Sequence, residues 1–205
     1  MSLGNFSSSI QVNPHFYGNF KPKNKNNITT FFITSSLNRN YKFLINAFEK
    51  IKKEKKEFSI KVIGKWHTFS KTQISNILEN NFIFKYEVSY SELYKEVYNS
   101  DFIIINLDPN LKGDREFHKI RVTGSAQLSY GFLKPPLIHK DFANFYNFNY
   151  SNSIIYDNFN FTRAIINAIN MKNKEYKSLQ YNLSLLSKQI YKKSFYNLKN
   201  CLNEL

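Results

Sequence analysis

An unbroken apolar run near the middle of the chain restricts its fold more than any other feature. Residues 101–106 read Asp-Phe-Ile-Ile-Ile-Asn, so four large apolar side chains follow one another without the polar alternation of a half-exposed strand. Such a run is typical of a strand that is buried on both faces, as in a parallel sheet covered by helices. The segment therefore predicts a central strand of an α/β domain.

Strand-like and helix-like segments alternate on both sides of this run. Short apolar and β-branched runs predict further strands at 28–36, 58–64, 82–86, 137–138 and 153–156. Apolar residues at helical spacing and short polar-capped segments predict helices at 41–52, 71–80, 91–98, 123–130, 159–170 and 173–200. This alternation indicates βαβ units. We expect a Rossmann-like, three-layer α/β/α domain with a mainly parallel sheet, plus long C-terminal helices.

Three regions differ in character. Residues 1–27 are polar and irregular, and we interpret them as a linker or hinge lead-in. Residues 28–172 carry the α/β rhythm and form the predicted ligand-binding domain. Residues 173–205 are predicted to be a C-terminal helix that packs back on this domain or on a separate N-terminal half. Its apolar stripe comprises Tyr176, Leu179, Leu183, Leu186, Ile190 and Tyr191.

Two residues are expected to mark helix ends. Ser91 is predicted to cap the helix at 91–98. Gly131 is predicted to lie just past the helix at 123–130 and to stop it.

The formal net charge of the 205-residue chain is +14. A charge of this size favours anionic partners such as nucleic acid, acidic lipid or phosphorylated substrates, although a solvated lysine-rich surface explains it equally well. No element shows the spaced arginine and aromatic pattern of a known nucleic-acid module. Nucleic-acid binding is therefore the weakest of the candidate functions, and no nucleic-acid partner is expected.

The remaining composition limits the other function classes. Cys201 is the single cysteine, so the chain can form no internal disulfide, which suits a reducing compartment. The four histidines are scattered and lack metal-ligand spacing, so no metal site is predicted. No apolar run approaches the roughly 18 residues that would span a bilayer. The expected location is the cytoplasm, with peripheral contact at the inner face of the membrane as one alternative.

The predicted topology indicates where a ligand would bind. In open parallel sheets, ligands bind beyond the carboxyl ends of the strands. One loop of interest, at 35–39, follows the first strand, and another, at 106–109, follows the apolar strand. The small residues Thr123, Gly124 and Ser125 open a helix, where free backbone N–H groups and the helix dipole could face a phosphate. An ordinary helix cap explains these residues as well.

The candidate site residues come from these loops. No Gly-x-Gly-x-x-Gly pattern and no Walker lysine is present, which disfavours dinucleotide and P-loop sites. Arg39, together with Lys119 or Arg121, could supply the positive charge for a diphosphate. The full predicted set that contacts the nucleotide-linked ligand is Ser35, Ser36, Arg39, Gly64, Val88, Lys119, Thr123, Gly124, Ser125 and Gln127.

Four segments, taken in order, suggest a family. They read Ser-Ser-Leu-Asn-Arg leading to Leu-Ile-Asn-Ala-Phe at 35–48, Ile-Lys-Val-Ile-Gly at 60–64, Tyr-Ser-Glu-Leu-Tyr followed by Ser-Asp-Phe at 90–102, and Gly-Ser-Ala-Gln-Leu-Ser-Tyr-Gly-Phe-Leu-Lys-Pro-Pro-Leu-Ile at 124–138. Their order and spacing resemble the C-terminal, sugar-nucleotide-binding half of family-4 retaining glycosyltransferases of the GT-B fold. Asn-Pro-His-Phe-Tyr at 13–17 is similar to the hinge that precedes this half in some bacterial members.

The resemblance implies a reaction and a set of roles. It implies transfer of a hexosyl group from a nucleoside-diphosphate sugar, which is a substrate rather than a cofactor, to a glycan or lipid-linked acceptor in surface polysaccharide biosynthesis. Arg39 occupies the family's phosphate-contacting lysine position, and Glu116 is the other candidate catalytic residue. The family's paired glutamates fall on His118 and Ala126, neither of which is acidic. The family's N-terminal acceptor-binding half is not among these residues.

A second function class stays open. The domain could be a non-catalytic binding or partner module that keeps the fold and has lost the catalytic glutamates.

Overall fold

Six parallel strands form one sheet in the computed structural model, which describes residues 20–35, 41–64, 74–118 and 122–203. The strands are β1 (Thr29–Ser35), β2 (Phe58–Gly64), β3 (Phe82–Lys85), β4 (Phe102–Ile105), β5 (Pro136–His139) and β6 (Ile154–Tyr156). Their spatial order is β3-β2-β1-β4-β5-β6, and every neighbouring pair runs parallel. The predicted Rossmann-like α/β/α domain is therefore confirmed.

Helices connect the strands as the alternation predicts. They are α1 (Lys42–Lys53), α2 (Tyr90–Tyr98), α3 (Lys112–Arg115), α4 (Gly124–Phe132), α5 (Lys140–Ala143), α6 (Phe161–Asn170) and α7 (Asn173–Asn203). The helix predicted at 71–80 is instead a 3-10 helix at Asn76–Asn81, and residues 71–73 lie outside the described ranges. Its only buried apolar side chain is Leu78, too little to anchor an α-helical face. The sequence analysis did not predict α3 and α5, because four residues are too few to show a helical period.

The core forms two layers, one on each face of the sheet. Alternate residues of β4 serve different layers: Phe102 and Ile104 pack with α1 and α6, whereas Ile103 and Ile105 pack with α4 and α5. All four side chains of β4 are essentially inaccessible to solvent. The apolar run at 102–105 is thus buried on both faces, which is why the sequence pattern shows no polar alternation.

Two predicted helix ends are wrong. The cap of α2 is Ser89, whose hydroxyl accepts a hydrogen bond from the Glu92 backbone N–H, and Ser91 lies inside the helix. Gly131 also lies inside a helix, because α4 continues to Phe132 and ends at Leu133 with a left-handed φ of 53°. Burial of the Leu133 side chain in the second core layer stabilises a conformation that would ordinarily favour glycine.

Helix α7 packs on the domain through the first part of its predicted stripe. Tyr176, Leu179 and Leu183 are buried, and Leu186 and Ile190 are half-buried against the second core layer. Tyr191 is 48% exposed and does not belong to the buried face. The apolar contact of α7 therefore weakens towards its C-terminal end.

A buried carboxylate ties the segment before β1 to the amino end of β4. The Asp101 side chain is fully buried, and its two oxygens accept hydrogen bonds from the backbone N–H groups of Asn26 (2.9 Å) and Thr30 (2.8 Å). The Tyr176 hydroxyl donates to the backbone carbonyl of Asp101 at 2.8 Å. Residues 20–26, β4 and α7 are thus joined at the amino end of β4.

Lys134 is buried close to this carboxylate. Its side-chain nitrogen, Nζ, donates to the backbone carbonyls of Tyr98 (2.7 Å) and Ser100 (2.6 Å), and the residue is only 1% exposed. Burial, with a smaller contribution from the charge of Lys23, lowers the pKa of Lys134 to about 6, although Asp101 acts in the opposite direction. A neutral amine keeps two N–H donors, which is enough for both carbonyls.

Stability should consequently rise with pH above about 6. Below that pH, Lys134 is protonated in both states; between about 6 and its ordinary pKa of 10.5, the unfolded chain binds one more proton than the native state. The free energy of unfolding then gains at most about 1.4 kcal/mol per pH unit from this group. Urea denaturation at pH 6, 7.5 and 9 measures this dependence of the free energy of unfolding on pH.

The matched variant is Lys134→Met, which keeps the length of the side chain and removes the titrating amine. Its stability profile should be flatter than that of the wild type over the same range. Parallel profiles for the two proteins would contradict the assignment of a neutral Lys134.

Candidate functional site

The strand order places a crevice between β1 and β4. The chain leaves β1 towards β2 on one side and leaves β4 towards β5 on the other, so the loops after these two neighbouring strands diverge. In parallel α/β sheets such a switch point is where ligands bind, beyond the carboxyl ends of the strands. The described residues bordering it include Ser35 at the end of β1 and Asn106 to Asp108 after β4.

The start of α4 lies at this crevice. The hydroxyls of Ser125, in the first turn of α4, and Thr34, near the end of β1, are 2.6 Å apart and share a hydrogen bond. Ser125 is 3% exposed, so this contact is a buried tie between the helix and the strand.

Thr123 acts as the N-cap of α4. Its hydroxyl accepts a hydrogen bond from the Ser125 backbone N–H at 3.3 Å, and its own N–H donates to the Tyr146 hydroxyl at 3.3 Å. The Ala126 N–H donates back to the Thr123 carbonyl at 3.1 Å. These bonds satisfy three of the amides at the helix start, as the helix-cap interpretation predicts.

Gly124 is the exception in this turn. It is exposed, and a Cβ atom built on it would meet nothing within 4 Å. Its backbone N–H has no hydrogen-bond partner among the described residues, and at the first position of the helix it cannot have one within α4. The first turn of α4 therefore combines the positive end of the helix dipole with one amide donor that has no partner among the described residues, an arrangement suited to an anion.

The other predicted contact residues have different surroundings. Ser35 and Gly64 end β1 and β2 and are register partners. Val88 lies between β3 and α2, half-buried against the second core layer. Gln127 is buried on α4. The predicted residues that lie outside the described ranges are Ser36, Arg39, Lys119 and Arg121.

The candidate acidic positions give a mixed result. Glu116 is half-buried in the 3-10 helix Glu116–His118 that follows α3. Ala126, at one of the two positions where the resemblance would place a glutamate, is fully buried on α4. The side chain of His118, at the other position, lies outside what the structure describes. The buried alanine means that no carboxylate can act from position 126.

The sequence analysis missed a cavity of about 200 Å³ at the carboxyl ends of β4, β5 and β6. His139 and Tyr156, the last residues of β5 and β6, line it, as do Asp157 and Asn158. The sequence did carry a signal, because polar residues directly follow both strands. The rule that ligands bind at carboxyl ends was applied to the other loops and not to these two.

The described residues provide neither a metal-binding group nor a membrane-spanning helix. None of their His, Cys, Asp and Glu side chains forms a group that could hold a metal ion. No helix in the same ranges combines the length and apolarity needed to cross a membrane.

Comparison with known proteins gives structural matches only. No family model matches the chain, and no curated protein matches it by sequence. A TarM variant from S. aureus, solved in complex with fondaparinux, α-GlcNAc-glycerol and UDP, matches with a TM-score of 0.61 at 13% identity over 87% of this chain and 37% of its own. A glycosyltransferase from Rickettsia africae ESF-5 matches with a TM-score of 0.60 at 15% identity, over 87% of this chain and 47% of its own.

An isolated domain matches over almost its whole length. The C-terminal domain of LpcC, a group 1 family glycosyl transferase from Francisella tularensis, has a TM-score of 0.60 at 12% identity, over 86% of this chain and 95% of that domain. The chain spans less than half of the TarM and Rickettsia chains. These neighbours are GT-B glycosyltransferases, and the chain has the fold of one of their Rossmann-like domains.

Proposed function

We propose that this chain is the donor-binding domain of a glycosyltransferase that moves a hexosyl group from a nucleoside diphosphate to a glycan or lipid-linked acceptor, in surface polysaccharide biosynthesis. The observation that carries the proposal is the open amide of Gly124 at the start of α4, held beside the end of β1 by the bond between Thr34 and Ser125. A diphosphate is the donor group that suits this position.

The chemistry follows from the charge that develops during transfer. As the bond from the sugar to the diphosphate breaks, negative charge grows on the leaving phosphate oxygens. The Gly124 N–H and the dipole of α4 stabilise that charge without having to reorganise. Arg39, four residues after the end of β1 in the sequence, is proposed to add a guanidinium that can form two parallel hydrogen bonds to phosphate. Such a step requires no metal ion.

Two further parts of the proposal rest on likeness to the neighbours. The structure of the TarM variant contains UDP, which supports a nucleotide sugar as the ligand of this fold. Because the chain spans only part of TarM, we place the acceptor site on a separate N-terminal domain, with the family-4 retaining mechanism as the working assignment. Contact with an anionic membrane surface through the lysine-rich exterior is part of the same proposal.

A second function has one specific observation in its favour. A non-catalytic module that binds a partner other than a nucleotide sugar would need no acidic residue at position 126, where the structure has a buried alanine. Glu116 is the remaining acidic candidate for the catalytic version.

Calorimetry with UDP-, GDP-, ADP- and CMP-sugars separates the two functions. We expect saturable binding of one nucleotide class, and Arg39→Ala should weaken it by about ten- to hundredfold, since a hydrogen bond to a charged group contributes about 1.5–3 kcal/mol. Lys177→Ala, which removes one positive charge from an exposed position of α7, is the control and should bind as the wild type does.

Two outcomes count against the donor site. Absence of binding across the whole panel would favour the non-catalytic module. Unchanged affinity in Arg39→Ala would show that Arg39 does not contact the diphosphate.

A further inference from the structure

The cavity at the ends of β4, β5 and β6 lies mainly on the α1 and α6 side of the sheet, although Leu107 of the second core layer also lines it and no α4 residue does among its described lining residues. Its walls include Phe43 of α1 and Phe161 of α6, and both residues belong to the first core layer. Helix α4 packs in the second layer, on the opposite face. The cavity is therefore a compartment distinct from the open amide of Gly124, although both lie at the carboxyl edge of the sheet.

One buried hydroxyl in the cavity wall lacks a protein partner. Tyr156 is 3% exposed, and its hydroxyl has no hydrogen-bond partner among the described residues. Tyr176, in contrast, donates to a backbone carbonyl at 2.8 Å. Burial, together with the charge of Asp108, raises the pKa of Tyr156, so the group is a neutral O–H donor. A buried hydroxyl without a partner costs about 1–3 kcal/mol, which a ligand group in the cavity would recover.

Asp157 and Asn158 provide further polar groups. One Asp157 oxygen accepts from the N–H groups of Phe159 and Asn160, and the other has no hydrogen-bond partner among the described residues. His139 Nδ1 accepts from the Asp141 N–H at 3.3 Å, and His139 Nε2 lies within hydrogen-bond distance of the Asn158 side-chain oxygen, at 3.2 Å. That leaves the Asn158 NH₂ group as a donor.

The charge and size of the cavity select the ligand. Asp108 and Asp157 line it and, among the described residues, no lysine or arginine does, so a phosphate would be repelled. Two phenylalanine rings, of Phe43 and Phe161, pack against each other with their centroids 4.8 Å apart and form an apolar part of the wall. At about 200 Å³ the cavity is smaller than the ~300–1,000 Å³ pockets of drug-sized ligands and admits one ring. A ring with C–H faces and several hydroxyls meets all these conditions.

We propose that this cavity is a subsite for one uncharged sugar ring of the hexopyranose class, bound by Tyr156, Asp157 and Asn158 against the apolar wall that Phe43 and Phe161 form. The inference deepens the proposed glycosyltransferase function and rests on it for the class of ligand. Phe159, which follows two of the lining residues in the sequence, is 98% exposed, and its backbone N–H donates to the Asp157 carboxylate.

Titration of the ¹⁵N-labelled chain with methyl glycosides of glucose, galactose, mannose and N-acetylglucosamine tests the subsite. At least one glycoside should shift the amides of Asp157, Asn158 and Phe159 saturably. Tyr156→Phe and Asp157→Asn should each weaken this binding by about tenfold or more. Both variants should fold, because Asn keeps the acceptor of the turn and Phe removes a hydroxyl without a protein partner.

Tyr181→Phe is the matched control, since Tyr181 is 58% exposed on α7 and should not affect binding. Three results would overturn the subsite: no saturable shift with any glycoside, the same shifts with ammonium or magnesium chloride alone, or unchanged affinity in both variants. Gly124→Pro separates this inference from the diphosphate site. If Gly124→Pro loses UDP binding but still binds the glycoside, the diphosphate site is supported and the subsite is independent of it. If Tyr156→Phe and Asp157→Asn lose glycoside binding but still bind UDP, the subsite is supported and the diphosphate site is independent of it.

Discussion

Replacing Gly124 with proline should weaken binding of UDP, or of whichever nucleoside diphosphate the chain selects, by about ten- to hundredfold while leaving the fold intact. Proline removes the one open amide donor of α4, and a hydrogen bond to a charged group contributes about 1.5–3 kcal/mol. The first helical position favours proline. Thr123 before it is already extended, with φ −79° and ψ 135°, as a residue before proline must be.

Gly124→Ala is the matched variant for this experiment. It keeps the N–H, and its Cβ enters space that is empty within 4 Å, so its affinity should stay close to that of the wild type. Calorimetry gives the affinities, and thermal unfolding confirms that both variants are folded. If the proline variant bound the nucleotide as tightly as the alanine variant, the Gly124 amide would have no part in binding.

Asp101→Ala should lower the free energy of unfolding by about 2–4 kcal/mol. The Thr30 N–H, which is buried, would lose its acceptor completely, and the half-buried Asn26 N–H would lose its acceptor with partial replacement by water. Each buried donor left without a partner costs about 1–3 kcal/mol. The same change would release residues 20–26 from the amino end of β4.

Urea denaturation measures this loss, with Asp141→Ala as the control. Asp141 has a side chain that is 48% exposed, so its removal should change the free energy of unfolding by less than about 1 kcal/mol. An Asp101→Ala variant within the same margin of the wild type would mean that the carboxylate does not anchor the segment before β1.

The strands could be predicted because the burial of each strand residue is reflected in its own apolar character. The run at 102–105 is apolar at every position since Phe102 and Ile103 face different core layers, and every residue of β5 is buried in the same way. Helix ends are less visible in the sequence. The left-handed conformation at Leu133 depends on tertiary burial rather than on a glycine. Ser89 and Ser91 are the same residue type, and only the structure shows that Ser89 accepts the capping hydrogen bond of α2.

The candidate site divides in the same way. The small residues at 123–125 predict a helix start with free amides. Only the fold shows that Thr123 and Ser125 already form hydrogen bonds within the protein, whereas the Gly124 N–H has no partner among the described residues. The cavity on the other face depends on residues from four separate segments, and the missing partner of the Tyr156 hydroxyl is a property of the packed structure. No local pattern in the sequence encodes such a juxtaposition.

Titration of the ¹⁵N-labelled chain with the nucleoside diphosphate, followed through the Gly124 amide, tests the account most directly. A diphosphate bound at the start of α4 should give this amide one of the largest saturable shifts in the spectrum, towards the low-field values of a strong hydrogen bond. The amides of Thr123 and Ser125, already bonded within the protein, should move less. A nucleotide that binds and leaves the Gly124 resonance unmoved would contradict the account.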